Sequence, residues 1–239
     1  MLVEVWSDFA CPFCYIGKRH FENALQRFEH KNKVDIVFKS FQLDPNAPMT
    51  INKDIHQSLA EKYGMSYEKA KEMGEQVSKQ AKTVGLDYYF DTMILTNTFA
   101  AHRLSHFAKQ QGKMKEMMER LLYAYFTESK NIGDYSTLVE LAGEIGIDRE
   151  QALQVLEENR YANEVLADQQ IAARIGVRGV PFFVFNEKYA VSGAQPSDVF
   201  LDVLQKVWEE EQEKQPLQIL NEKKQTKTEY CTDDSCNIE

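Results

Sequence analysis

A short strand-like run, Leu2-Val3-Glu4-Val5-Trp6, is followed almost at once by Cys11-Pro12-Phe13-Cys14 and then by a helical pattern in which Phe21, Leu25 and Phe28 share one face. Pro12 suits the first position of that helix, where a missing N–H costs nothing because the first amides have no intrahelical acceptor. A second strand pattern runs from Val34 to Phe41 and ends at Leu43-Asp44-Pro45-Asn46-Ala47-Pro48. Strand, helix, strand is a βαβ unit, so the two strands are expected to be parallel with a right-handed crossover. Two thiols three positions apart therefore sit at a strand-to-helix junction. Metal binding, a structural bridge and thiol exchange are the uses open to them.

Composition weighs those uses. A chain of 239 residues with 43% apolar content can bury a core without disulfide staples. The N-terminal segment has neither a basic start nor an apolar stretch of secretory length, and no run approaches the roughly 18 apolar residues that cross a bilayer. The expectation is a soluble, cytoplasmic protein that does not engage membranes. Cysteine occurs four times, at Cys11, Cys14, Cys231 and Cys236, and in a reducing compartment such close pairs point to redox or metal chemistry rather than to bridges. A zinc site would need two further ligands at compatible spacing. The net charge of −9 is spread along the chain and argues against nucleic acid as the main partner, since binding phosphates needs a clustered basic surface. No cofactor or metal is expected, and oligomeric state is not legible.

A CxxC between strand and helix inside a βαβ unit is a redox signal. At the helix start, orphan N–H groups and the dipole favour negative charge, so Cys11 is expected to ionise below the free value of about 8.5. Cys14, one turn further in, is expected to be less exposed and to attack a mixed disulfide formed at Cys11. Asp8 is a candidate for moving the proton of Cys14, with simple exposure to water as the alternative.

From about residue 53 to 175 the helical period dominates. Met114, Met117, Met118, Leu121, Leu122, Tyr125 and Phe126 form one apolar stripe, read as core because methionine fills irregular gaps. Ser66 and Asp148 look like N-caps, and Gly64, Gly85, Gly112 and Gly146 punctuate the helices. His102 and His106 lie one turn apart, but no acidic or third histidine neighbour accompanies them in sequence, so packed or solvated helix positions are expected rather than metal ligands. His20 lies too far along its helix to activate Cys11. Pro181 to Phe185 reads as a strand opened by proline, Asn186-Glu187-Lys188 as a turn into Tyr189–Ser192, and Val199, Phe200, Val203, Leu204, Val207 and Trp208 as a last amphipathic helix. After Trp208 a polar tail lacking any packing period is expected.

The order βαβ, helices, ββα implies an α/β chain with a thioredoxin-like fold and a large all-helical insertion domain. The expected parts are 1–48 plus 176–210 as the thioredoxin-like domain, 49–175 as the helical insertion, and 211–239 as a flexible tail carrying the CxxxxC pair Cys231 and Cys236. By tethering, that pair could return to exchange with Cys11 and Cys14.

Asp8-Phe9-x-Cys11-Pro12-Phe13-Cys14-Tyr15-x-Gly17, Phe41-Gln42-Leu43-Asp44-Pro45, Asn97-Thr98-x-x-Ala101-His102-Arg103-Leu104, Gly179-Val180-Pro181-Phe182-Phe183 and Val191-Ser192-Gly193-Ala194-Gln195 occur in this order. Together they resemble the DsbA-like thiol–disulfide oxidoreductases of the FrnE type, over about residues 1 to 210. The resemblance implies a catalytic Cys11 and Cys14, a cis proline at Pro181 beside them, and the Asn97–Leu104 segment lining the cleft. If Pro181 is cis, the Val180 backbone can pair with an extended substrate, with Pro12 and Phe13 completing the substrate-binding surface. The expected partners are proteins or small molecules carrying thiols or disulfides. Two alternatives remain: a glutathione-dependent isomerase similar to the 2-hydroxychromene-2-carboxylate type, whose members usually carry serine where Cys11 stands, and a zinc-binding or chaperone-like module.

Overall fold

A computed structural model describes residues 1–49, 51 and 53–212, together with the backbone of 230–232 and 235–237. The elements in chain order are β1 (Leu2–Ser7), α1 (Pro12–Arg27), β2 (Asp35–Ser40), α2 (Ile55–Tyr63), α3 (Tyr67–Lys82), α4 (Phe99–Gln110), α5 (Met114–Phe126), α6 (Tyr135–Glu144), α7 (Arg149–Glu157), α8 (Ala162–Arg174), β3 (Phe182–Phe185), β4 (Tyr189–Ser192) and α9 (Ser197–Gln212). A short pair, β5 (Tyr230–Thr232) and β6 (Ser235–Asn237), follows.

The main sheet has the order β2-β1-β3-β4, with β1 parallel to β2 and antiparallel to β3, and β3 antiparallel to β4. Val5 lies opposite both Phe38 and Phe183, and Phe183 opposite Val191, so these side chains share the face covered by α1 and α9. There Phe183 and Phe200 meet edge-on at 4.6 Å, and Phe21 lies 5.5 Å from Phe183 and 5.7 Å from Phe200. Each such buried ring contributes about 1.5–3 kcal/mol of transfer free energy. On the opposite face Trp6 packs with Ala172 of α8 and with Val177, and its indole N–H donates to the Asp168 carbonyl at 3.1 Å. The result is the thioredoxin-type layering, with helices α2 to α8 inserted between β2 and β3.

One core runs from Val3 and Phe183 through Leu104, Met117 and Leu121 to Leu141 and Val155. The methionine-rich stripe is inside it: Met117, Leu121, Leu122 and Phe126 are fully enclosed. The expected caps are present, with Ser66 accepting from the Lys69 amide at 3.2 Å and Asp148 from that of Gln151 at 2.8 Å. Asp54 and Asp134 cap α2 and α6 in the same way. The β3–β4 turn has Asn186 and Glu187 both at positive φ, with the Lys188 amide donating to the Phe185 carbonyl, as a tight hairpin requires.

Two expectations change. Val199 is exposed, so the buried stripe of α9 is Phe200, Leu204 and Val207. Helix α9 also continues past Trp208, because its acidic residues find polar partners on the hairpin: Glu210 accepts from Tyr189 and Lys188, and Glu211 accepts from Asn186 at 2.7 Å and lies 3.6 Å from the N-terminal amine. A pattern search for apolar periodicity misses such an extension. Cys231 and Cys236 face each other across the β5–β6 backbone ladder, but their side chains lie outside the described residues.

Candidate active site

Strand β1 ends at Ser7, with Asp8 next, at the C-terminal end of this central strand, where a turn closed by the Cys11 amide on the Asp8 carbonyl (3.2 Å) redirects the chain into α1. Cys11 is the N-cap, in extended conformation, and Pro12 occupies the first helical position. Cys14 returns its amide to the Cys11 carbonyl at 3.0 Å. The thiol of Cys14 accepts the Asp8 N–H at 3.4 Å. Burial pushes the Cys14 pKa well up, and the adjacent Cys11 pushes it further; the Ser7 hydroxyl and Asp8 N–H pull the other way without reversing it. The net effect favours the protonated form of the Cys14 thiol.

Cys11 and Cys14 retain 4% and 2% of their surface, so the first cysteine is enclosed nearly as fully as the second. The expected contrast in exposure is absent because a loop from far along the chain covers Cys11. The Val180–Pro181 bond in that loop is cis, and the Val180 carbonyl receives the Cys11 S–H at 3.4 Å. The Pro181 carbonyl in turn accepts the Gly193 amide at 2.8 Å, tying the loop to the end of the β3–β4 hairpin. The Val180 N–H has no backbone acceptor among the described residues. Phe13 is exposed and Pro12 half-buried beside it.

Asp8 does not face water; it is 2% exposed. Its carboxylate accepts the Leu43 amide at 2.7 Å and the Ala10 amide at 3.4 Å, and His102 Nε2 lies 3.3 Å away. The contact to Cys14 is made by the Asp8 backbone, not by its carboxylate. The two histidines of α4 do have acidic partners, supplied by distant elements: Asp8 for His102, and Asp168 of α8 for His106 at 3.2 Å. Asp168 also accepts the Ser40 amide at 2.9 Å and lies 3.3 Å from Lys39. Burial raises its pKa, but His106, the Ser40 amide and Lys39 together outweigh that and hold it below the ordinary value.

Three further residues reach the site: Ser7 and Tyr88, which no sequence signal announced, and Gly17, which stood in the first stretch of the resemblance without an assigned role. Ser7 faces Cys14 from the end of β1. Gly17 of α1 is buried against the proline loop, where a Cβ would stand 2.9 Å from Pro181 Cγ and 3.3 Å from Ala194 Cα. Tyr88 donates its hydroxyl to the Pro12 carbonyl at 2.8 Å. Behind the CxxC, Tyr15 donates to Glu119 of α5, which also takes Lys18 and Arg19. Among the described residues no three His, Cys, Asp or Glu side chains converge to hold a metal. Nor is any described helix long and apolar enough to cross a membrane.

The model of the DSBA-like thioredoxin domain matches residues 2–205. The chain belongs to that family. A protein of Bacillus subtilis (strain 168), YwbO, is 28% identical over 83% of this chain and 92% of its own. The crystal structure of a probable DsbA oxidoreductase from Streptomyces coelicolor superposes with a TM-score of 0.87 at 38% identity, covering 100% of this chain and 99% of that one. The cytosolic disulfide reductase DsbM from Pseudomonas aeruginosa, solved with GSH, shares the fold at a TM-score of 0.62 and 14% identity, over 87% of this chain and 100% of its own. This DsbA-like chain thus carries the paired cysteines at the strand-to-helix junction of its family's fold.

Proposed function

We propose that the protein is a cytosolic thiol–disulfide oxidoreductase or isomerase of the FrnE type, acting on protein or small-molecule disulfides. The observation that carries this is the placement of Cys11 Sγ between a helix N-terminus and the Val180 carbonyl, with the buried Cys14 thiol one turn further along the same helix. In the reductive direction the Cys11 thiolate attacks a substrate disulfide. One substrate sulfur leaves as thiolate and takes up a proton, and the other is held in a mixed disulfide. Cys14 then loses its proton and attacks Cys11 Sγ, expelling the second substrate thiol and leaving the Cys11–Cys14 disulfide. Two electrons pass to the substrate. The reverse sequence oxidises a dithiol.

In this reading the substrate chain takes the place of Cys11 on Val180, pairing with the Val180 carbonyl and free N–H as a short added strand, with Pro12 and Phe13 at the rim. Ser7 and the Asp8 amide steady Cys14, and Cys231 with Cys236 form a second pair that exchanges with the first.

The experiment is turnover of a dithiol-dependent disulfide substrate such as insulin, together with Cys11→Ser and Cys14→Ser variants. The first variant is expected to abolish turnover, and the second to trap mixed disulfides on Cys11. Equal turnover by the wild type and Cys11→Ser would refute the assignment. A Cys231→Ser, Cys236→Ser double variant with unchanged redox potential and turnover would remove the second pair.

A further inference from the structure

The Tyr88 hydroxyl bonds to an oxygen inside the CxxC itself. Residue 88 comes from the stretch after α3, and that stretch is held on both sides: the Tyr89 amide donates to the Phe126 carbonyl at 2.9 Å, and the Thr127 hydroxyl to that of Asp87 at 2.7 Å. The ring stacks on Phe126 at 4.6 Å and, more distantly, on Tyr15 at 6.3 Å. Stacked and anchored in this way, the hydroxyl has one described partner, the Pro12 carbonyl.

The Pro12 carbonyl and the Phe13 N–H belong to one peptide group. An N-cap side chain accepts from the amide of the second or third helical residue. Here the third, that of Cys14, is already committed to the Cys11 carbonyl. The second, that of Phe13, has no backbone acceptor among the described residues. When Cys11 loses its proton it can no longer donate to Val180, and of the amides in the first turn of α1 that of Phe13 is the one placed by N-cap geometry to meet the sulfur.

We infer that Tyr88 is a positioning residue for thiol exchange: by bonding to the Pro12 carbonyl it polarises the Pro12–Phe13 peptide and strengthens the Phe13 N–H as a donor to the Cys11 thiolate. This rests on Cys11 being the attacking sulfur. It makes a residue of the inserted segment part of what sets the redox poise of the pair, through a peptide rather than through contact with either sulfur.

Tyr88→Phe keeps both stacks and removes only the hydroxyl. With hydrogen bonds strengthening one another by about 10–30%, the variant is expected to have its Cys11 alkylation midpoint moved upward in pH, so that on the acid side of the midpoint it reacts about 1.5- to fourfold more slowly than wild type. Its redox potential is expected to become more negative, since a less stable thiolate favours the disulfide. A superposable alkylation profile and an unchanged potential would overturn the inference. Thermal unfolding reports whether the variant is intact. Should it not fold, the wild-type protein still decides: the Phe13 amide proton, followed by NMR, must move downfield as Cys11 ionises, and a Phe13 resonance indifferent to that titration refutes the proposal. These readouts need no substrate, so failure of the wild type to reduce disulfides would count against the proposed function alone.

Discussion

Gly17 lies in the interior of α1, where glycine costs about 1 kcal/mol relative to alanine. Substitution with alanine at an open helical site would therefore stabilise. Here the new methyl would stand 2.9 Å from Pro181 Cγ, against the roughly 3.5–4.0 Å of a relaxed carbon contact. It cannot lean away, because the Ala194 Cα and Cβ stand 3.3 and 3.4 Å off. The proline loop must withdraw by about 0.6–1 Å, and overpacking of this kind costs about 1–3 kcal/mol. Set against the propensity gain, Gly17→Ala should be destabilised by about 0–2 kcal/mol, a fall of up to about 8 °C at 2–4 °C per kcal/mol for a chain of this size. The functional effect should be larger than the thermal one. Val180 and Pro181 move with the loop, and a misplacement approaching 1 Å can cost up to about a hundredfold in rate. Calorimetry and insulin reduction measure the two effects separately. A Gly17→Ala protein that melts 2–4 °C higher than wild type, as alanine at an open helical site would make it, and turns over within twofold of it would show that the close approach does not hold the loop.

Asp8→Ala strips the acceptor from two amides and from His102 and is expected to cost about 2–4 kcal/mol by urea titration, with Asp8→Asn losing less because one oxygen remains. Burial raises the pKa of Glu119, but Arg19, Lys18 and Tyr15 outweigh it and hold the carboxyl at about 2. Being depressed, it contributes stability that is present above its unfolded value of about 4.3 and is lost as pH falls from there toward about 2. Glu119→Gln should therefore be less stable at neutral pH and show a flatter melting-temperature profile across that window; an unaltered profile would exclude the carboxylate from the network. Arg103, 1% exposed, donates to the Val155 and Leu156 carbonyls at the end of α7 and to the Tyr135 hydroxyl. Arg103→Ala should lose at least about 3 kcal/mol by chemical denaturation, and a loss under 1 kcal/mol would show that those carbonyls find other donors.

Much of the candidate site's backbone arrangement was legible because it is local. The strand at Leu2, the proline at the start of α1 and the two thiols one turn apart lie within a few residues of each other, and the rules linking them are rules of adjacent backbone. The bounds of α5, the caps at Ser66 and Asp148 and the four punctuating glycines at positive φ follow from the same short-range physics. The cis state of the Val180–Pro181 bond was expected from resemblance, since no propensity reports it.

What the chain order could not reveal is which distant groups meet. His102 and His106 lack acidic neighbours in sequence because Asp8 and Asp168 arrive from the turn after β1 and from α8, and only folding brings them within 3.3 Å. Tyr88 reaches the Pro12 carbonyl across 76 positions of chain, and Val180 reaches Cys11 across 169. Sequence alone determined that a thiol pair begins a helix after a strand, since periodicity and capping act over a few residues. Tertiary structure decided how enclosed that pair is and what touches it, because burial and hydrogen-bond partners depend on segments whose separation along the chain says nothing about their separation in space.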